Sequence, residues 1–386
     1  MAYVFEKQGV APWRKITLYS TDGKKGDWFG FSVSIDNNPY SPTEGQTIVV
    51  GAPKHTVTNN GNNSAAAGKA YVYVKNGASW DCNLCDLPET AGLVSPNPTA
   101  DFEFGFSVSV QSNTAVVGEP QPYNHGQCAG CGVGAAYMYQ PVAGTWSALT
   151  NQLPTPGNLT ASGSEFGFSV SFSNGPGSLG IAVVGAPEPP GWGRCSPCGN
   201  GYAYVFSPAG NSWSGPINSL TLTNPNNSID WFGFSVSSAM GSLAVVGAPN
   251  ATCPTGSGQC PSGYPAKTGL AWEYESNNGW ATPGAVYPDN GGTGDLFGYA
   301  VATDGKGGNC LAVGAPFHSH GQGEGYLFTS RYWGQGGYHA GSQDITHSNY
   351  GEFGYSVACY YGSGSSAVFG APANNHYTGA AYLYDE

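Results

Sequence analysis

Charge is scarce in this sequence, and so is any run that could cross a bilayer or wind into a long helix. Only 9% of the 386 residues are charged, against roughly 25% in an average globular chain. No stretch of about 18 apolar residues exists, so nothing is long enough to span a membrane as a helix, and no segment sustains a 3.6-residue apolar period. Basic residues are fewest of all: 12 Lys and Arg stand against 24 Asp and Glu, a net charge of -12. That balance repels phosphate backbones and anionic membrane surfaces and argues against nucleic acid and membrane insertion. The opening MAYVFEKQGV lacks the charged-then-apolar layout of a signal peptide, which reads as a removed leader or a boundary within a longer chain. Catalytic signatures are missing too. There is no Gly-x-Ser-x-Gly elbow, no His-Glu-x-x-His, and no phosphate loop entering a helix; GQGEG at Gly321–Gly325 has no helical pattern behind it. No carboxylate pair stands out as an acid/base couple, so the expectation is a chain without catalytic residues, cofactor or metal.

What the chain has in abundance is glycine (60), proline (28) and aromatic residues (13%), the composition of aromatic-rich strands joined by tight turns; a disordered chain would be poor in aromatics. Aligned on itself, the sequence repeats six times. DWFGFSVS, FEFGFSVS, SEFGFSVS, DWFGFSVS, DLFGYAVA and GEFGYSVA carry Phe-Gly steps at Phe29, Phe104, Phe166, Phe232, Phe297 and Phe353. Each is followed by an apolar run ending in Gly-x-Pro (TIVVGAP, TAVVGEP, IAVVGAP, LAVVGAP, CLAVGAP, SAVFGAP), then by a small-aromatic segment such as AYVY or AYLY. A fourth segment opens at Trp13, Trp80, Trp146, Trp213, Trp280 and Trp333. All four are short, β-branched or aromatic, and bounded by turn residues, so each unit reads as about four antiparallel strands. The proline ends its strand because it cannot donate to the ladder, and the glycine after each Phe is expected where innermost strands crowd near an axis. Four-stranded units copied at this spacing are the blades of a β-propeller.

The Phe-Gly and Gly-Ala-Pro pairs resemble FG-GAP repeats, the blades of the integrin α-chain head and of many secreted proteins; the run AYVF…W…D-x-FG…SV…AVVGAP is similar to the subfamily found in extracellular proteins of microbes and protists. The resemblance spans nearly the whole chain and implies a single all-β propeller domain over residues 1–386. Many such blades carry an Asp-rich calcium loop between the FG and GAP strands. Here those loops read IDNNPYSPTEGQ, VQSN, FSNGPGSLG, SSAMGS, ATDGKGGN and CYYGSGSS, which lack the clustered oxygen ligands Ca²⁺ requires; Asp304 is the nearest remnant.

Ten cysteines form an even set: Cys82/Cys85, Cys128/Cys131, Cys195/Cys198, Cys253/Cys260, Cys310 and Cys359. Close pairs in Gly/Pro-rich loops read as disulfide staples in an oxidising compartment, although Cys128/Cys131 with Cys195/Cys198 would also suit a four-thiolate zinc site. Sequons at Asn62, Asn158, Asn226 and Asn250 lie in polar, turn-like stretches and add to an extracellular, secreted or cell-surface reading.

An acidic residue stands one or two places before every Phe-Gly: Asp27, Glu103, Glu165, Asp230, Asp295 and Glu352. These form either an axial ring for a cation or polar ligand, or carboxylates that accept backbone N–H groups of their own turns; recurrence in every unit favours the second. The loops after GAP vary most and carry His55, Tyr123, His125, Trp192, Tyr264, His318, His320, His376 and Tyr377. Variable polar and aromatic groups on one face of a rigid scaffold make a binding surface. His318 and His320 could also chelate a metal, but no third ligand is evident. The composition therefore points to a module that binds a protein or a glycan, with a structural subunit of a fibre or coat, and a lectin, as alternatives.

Strand counting gives six Phe-Gly, six GAP and six Trp segments but seven aromatic ones, because AYVF at Ala2–Phe5 begins the series and AYLY at Ala381–Tyr384 ends it. Six blades are expected, with seven the alternative. The last blade would borrow the Trp13 strand to close the ring, and the surplus aromatic strand would self-associate with another copy.

Overall fold

The computed structural model describes all residues except 8–11, 37–46, 60, 76–79, 81–85, 122–131, 147–148, 160–163, 176, 188–199, 227–228, 254–263, 305–309, 330–341, 347–350, 362–364 and 386. Seven sheets form the blades of an all-β propeller. Blade one holds Ala2–Glu6, Arg14–Tyr19 and Asp86–Pro88; blade two holds Ser32–Ile35, Thr47–Ala52, Lys69–Val74 and Ala91–Leu93. Blades three to six repeat the same four-stranded meander, with GAP strands at Thr114–Glu119, Ile181–Ala186, Leu243–Ala248 and Cys310–Ala315. Blade seven holds Ser356–Tyr361, Ser365–Ala371 and Ala380–Asp385. The chain divides into two compact units, Met1–Val170 with Ala209–Ile217, and Ser171–Pro208 with Asn218–Glu386. Among the described residues no helix is long and apolar enough to cross a membrane.

The count of seven corrects the expectation of six. Arg14–Tyr19, the strand expected to complete the last blade, pairs instead with Ala2–Glu6 on one side and in parallel with Asp86–Pro88 on the other. The physical reason is chain proximity. Ala2–Glu6 has the same small-aromatic pattern as the last strand and reaches its partner across one short loop, so its closure costs far less entropy than recruiting a strand from the opposite end of the sequence.

Contacts between blades explain the repeat residues. Every GAP strand of blades two to six is buried along its whole length, which is why these strands read as near-continuous apolar runs rather than alternating ones. In the first unit Phe104 is fully buried and bridges in parallel to Gly68, at the start of the preceding blade's third strand. Gly105 follows with φ +85°, and a Cβ there would lie 2.5 Å from the Lys69 carbonyl oxygen. The glycine is thus required by the neighbouring blade's third strand and by its left-handed backbone. The serine two places on fastens the next blade: Ser32 Oγ donates to Gly105 O at 2.9 Å and Ser107 Oγ to Gly167 O at 2.8 Å. In the second unit Ser235 Oγ donates to Gly298 O at 2.8 Å. Between Gly and Ser sits an aromatic ring that packs at a tilt against its counterpart in the next blade, with centroids 4.8 Å apart for Phe31/Phe106 and 4.9 Å for Tyr299/Tyr355.

One disulfide joins Cys310, on the GAP strand of blade six, to Cys359, on the first strand of blade seven, with Cα atoms 6.1 Å apart. These are the two cysteines that have no close neighbour in sequence, and they meet because adjacent blades lay their strands side by side. Cys253 is also disulfide-bonded. The other seven cysteines fall outside the described residues: Cys82 and Cys85, Cys128 and Cys131, Cys195 and Cys198, and Cys260, the expected partner of Cys253. The staples expected of the close pairs, and the alternative four-thiolate zinc site of Cys128, Cys131, Cys195 and Cys198, therefore lie outside the described residues as well.

Candidate functional site

The loop after the GAP strand of blade two builds a cleft in the first unit. Pro53 stops the strand; His55 N then donates to Ala52 O at 3.1 Å and Lys54 N to Asp27 O at 3.1 Å, a tight turn that drives the imidazole inward until His55 is only 6% exposed. The hairpin Val57–Asn59/Asn62–Ser64 rises beyond it. Together with the Thr21–Asp27 turn and the segment Val94–Pro98 they enclose about 650 Å³, lined by Lys24, His55, Thr58, Lys69 and Pro96 among others.

Carboxylates fix the imidazole. His55 Nδ1 is 2.7 Å from Asp27 Oδ2 and its Nε2 is 3.7 Å from Asp22 Oδ2. Asp22 in turn accepts the Tyr71 hydroxyl at 2.7 Å and Lys69 Nζ at 2.5 Å. Burial alone would push the Asp22 carboxyl up, but hydrogen bonds from Lys69 and Tyr71, with the Lys69 charge, hold it below the ordinary carboxylate range. Burial and the facing Asp22 carboxylate push the Tyr71 hydroxyl the other way, well above a free phenol. Lys24 N donates to Asp27 Oδ2 at 2.8 Å, so the carboxylate before the Phe-Gly step caps its own turn while orienting the histidine.

The same constellation recurs in the second unit. His318 Nδ1 lies 2.8 Å from Asp295 Oδ2 and its Nε2 3.0 Å from Glu324 Oε2. Asn290 Nδ2 donates to that same oxygen at 3.0 Å, and the Tyr326 hydroxyl stands 2.9 Å from it and 2.8 Å from Asn290 Oδ1. Asn290 is placed relative to Asp295 as Asp22 is to Asp27, and Glu324 relative to Tyr326 as Lys69 is to Tyr71. One motif, Gly-Ala-Pro-x-His, therefore yields two imidazoles clamped by carboxylates.

The remaining sequence candidates divide by location. Tyr264 packs edge-on against Tyr287 at 5.4 Å and donates to Pro288 O at 3.3 Å, inside its blade rather than on an open face. His320 sits in the exposed turn after His318 with φ +63°. Tyr123, His125 and Trp192 fall outside the described residues, as do the side chains of His376 and Tyr377. Of the other acidic positions, Asp230 accepts Phe232 N at 3.2 Å and Asn224 Nδ2 at 2.9 Å, and Asp295 accepts Gly292 N at 2.6 Å. Glu103 accepts the Lys54 ammonium; Glu165 is buried and Glu352 half-buried. Asp304 is buried at the end of a Phe-Gly strand, and among the described residues no group of three or more His, Cys, Asp or Glu is arranged to hold a metal ion. Asn62 and Asn158 are exposed, whereas Asn226 Nδ2 donates to Thr252 O and Asn250 Nδ2 to Ile229 O.

Sequence reasoning missed Asp22, Lys69, Asn290, Glu324 and both tyrosines of the clamps. The shared spacing of TDGKKGD and DNGGTGD, each ending in the acid before Phe-Gly, was the available signal. It missed Glu119 as well. This residue replaces the alanine of GAP, is 1% exposed and is pushed up to about 7 by burial, with weaker opposing hydrogen bonds from Ser95, Gln121 and Tyr137.

Fold and repeat define a β-propeller that carries the FG-GAP signature. The FG-GAP repeat family matches at residues 14–73, which spans the second strand of blade one and most of blade two. No curated protein matches the chain. Two crystal structures of Sqt1 from Chaetomium thermophilum superpose at 12% identity, with TM-scores of 0.49 and 0.45, covering 95% and 93% of this chain and 71% and 70% of theirs; at that level the likeness carries no functional argument.

Proposed function

We propose that the chain is an extracellular binding and adhesion module that recognises a protein or a glycan through the loops following its GAP strands. The observation that carries this reading is the cleft beside His55. Its floor is a rigid hydrogen-bonded clamp, its rim offers Lys24, Thr58 and Asn59 to polar groups, and Pro96, Pro98 and Val57 supply apolar surface. A preformed mixed-polarity concavity on a stiff scaffold is how small modules hold a segment of a larger ligand. The carboxylates and imidazole there already satisfy one another, an arrangement suited to holding shape rather than to moving protons through a reaction. The disulfide between blades six and seven and the exposed sequons support an oxidising, extracellular setting. Screening the intact protein against an array of glycans and of matrix and cell-surface proteins tests the proposal. Binding should fall at least tenfold in Thr58→Arg, which fills the cleft, while the melting temperature holds. Full binding by Thr58→Arg would move the recognition surface elsewhere.

A second reading, a subunit of an extracellular assembly that self-associates through a terminal strand, is favoured by one observation. Ala380–Asp385 pairs only with Ser365–Ala371 among the described residues, leaving its outer edge open.

A further inference from the structure

We infer that copies of this chain join by strand replacement: Ala380–Asp385 of one copy takes the place of Ala2–Glu6 against Arg14–Tyr19 of the next. The inference rests on the second reading above and specifies its register.

In blades two to six the aromatic third strand is covered by a fourth strand; in blade seven, among the described residues, it is not. The open edge has an apolar side chain beside it, Leu383 being 45% exposed. Such an edge accepts a strand from another chain. The strand type that blade seven lacks is the one represented by Arg14–Tyr19, which in blade one is held by Ala2–Glu6. That incumbent is seated on one face, where Ala2 and Val4 join the core with Ile16 and Leu18, and open on the other. Tyr3 and Phe5 are 45% and 58% exposed, whereas the equivalent Tyr204 and Phe206 of blade four are fully buried.

Challenger and incumbent match position by position, AYLYD against AYVFE. The incumbent's register pairs Ala2 with Leu18, Tyr3 with Thr17, Val4 with Ile16, Phe5 with Lys15 and Glu6 with Arg14. Replacement sets Ala381, Tyr382, Leu383, Tyr384 and Asp385 in those places. It preserves the small residue opposite Leu18, the aliphatic pair at Ile16, and an acid opposite Arg14, where Glu6 now stands at 3.8 Å. The third strands of blades two, three, four and six end this motif in Val74, Gln140, Ser207 and Thr329, and that of blade five in Glu275, so an acid there is not a general demand of the repeat. The product is one complete blade, with FG, GAP and aromatic strands from one copy and the Trp strand from the next, and each copy keeps an open end for another.

The test mixes two variants of the full chain, Thr17→Cys and Tyr382→Cys, which this register sets opposite each other. A non-reducible thiol cross-linker should give a dimer joined between peptides 14–19 and 380–385, absent from either variant alone, and sedimentation should show mass rising with concentration. Asp385→Arg should weaken association about fivefold, the scale of one exposed ion pair, and Arg14→Glu in the other copy should restore it. A strict monomer at millimolar concentration overturns both the register and the assembly reading. Association without the cross-link overturns the register alone. A cross-link that forms only inside a single chain carrying both substitutions shows that the exchange is not between copies.

Discussion

A methyl group added at Gly105 would lie 2.5 Å from the Lys69 carbonyl oxygen on a backbone with φ +85°, so both space and conformation oppose it. Gly105→Ala should therefore lower stability by roughly 3 kcal/mol, read from denaturant midpoints. Gly144, with φ +81° but nothing within 4 Å, separates the two causes, since Gly144→Ala incurs only the backbone strain and should lose about 1 kcal/mol. Equal losses would show that the contact with the neighbouring blade is unimportant. Glu119 gives the pH counterpart. Burial raises its pKa from 4.5 to about 7, so between those values the folded chain keeps a proton that the unfolded chain has lost. The associated stability is present below pH 4.5 and is lost as pH rises through about 7. At about 1.4 kcal/mol per unit the full swing is about 3 kcal/mol, and Glu119→Gln should flatten it in urea titrations between pH 4 and pH 8; an unchanged slope would place its source elsewhere. Glycan attachment divides along similarly local lines. The amide nitrogens of Asn226 and Asn250 already hold backbone carbonyls and Asn62 is exposed on a hairpin, so glycopeptide mapping of secreted protein should find sugar at Asn62 in preference to Asn226 and Asn250.

Between elements, the disulfide from Cys310 to Cys359 ties the GAP strand of blade six to the first strand of blade seven. It closes a loop of 49 residues, which in the chain-entropy treatment is worth about 4 kcal/mol. The Cys310→Ala/Cys359→Ala double variant should lose a comparable amount, and blade seven should become the preferred site of proteolysis; an unchanged cleavage pattern would show that strand pairing alone holds it. Elements were also what the sequence made most legible. Phe-Gly, the apolar GAP run and the small-aromatic strand recur because every blade must meet its neighbour with the same contacts. Ser32, Phe31 and Gly105 illustrate this, since each touches the next or the previous blade. Blade number was not legible, because Ala2–Glu6 and Ala380–Asp385 carry the same pattern and compete for one partner strand. Which of them holds Arg14–Tyr19 depends on loop closure, not on local preference. His55 could be picked out as a loop residue, but its clamp could not be assembled: Asp22, Lys69 and Tyr71 come from a turn and a strand whose approach is a tertiary fact.

For the molecule as a whole, the repeat implies a gradient of stability. A repeat array is held by the intrinsic stability of each unit plus its interfaces with adjacent units, so units with incomplete sheets are the least protected. Blade two's GAP strand is buried at every position, while the corresponding strand of blade seven, Ser365–Ala371, alternates buried with partly exposed residues and leaves Val368 37% exposed. In the first unit Val33 is 61% exposed on the opening strand of blade two, whereas its counterpart Val108 in blade three is 8% exposed. Hydrogen exchange at low protein concentration should accordingly show the slowest amides in the GAP strands Thr114–Glu119 and Leu243–Ala248, and faster exchange in Ala2–Glu6 and Ala380–Asp385. Uniform protection across all seven blades would mean that the open edges are covered within a single chain. Raising the concentration supplies the second half of the measurement. Protection should increase at Ala380–Asp385 and Arg14–Tyr19 while Ala2–Glu6, the strand being replaced, exchanges faster, and no rearrangement confined to the loops would produce that opposite pair of changes.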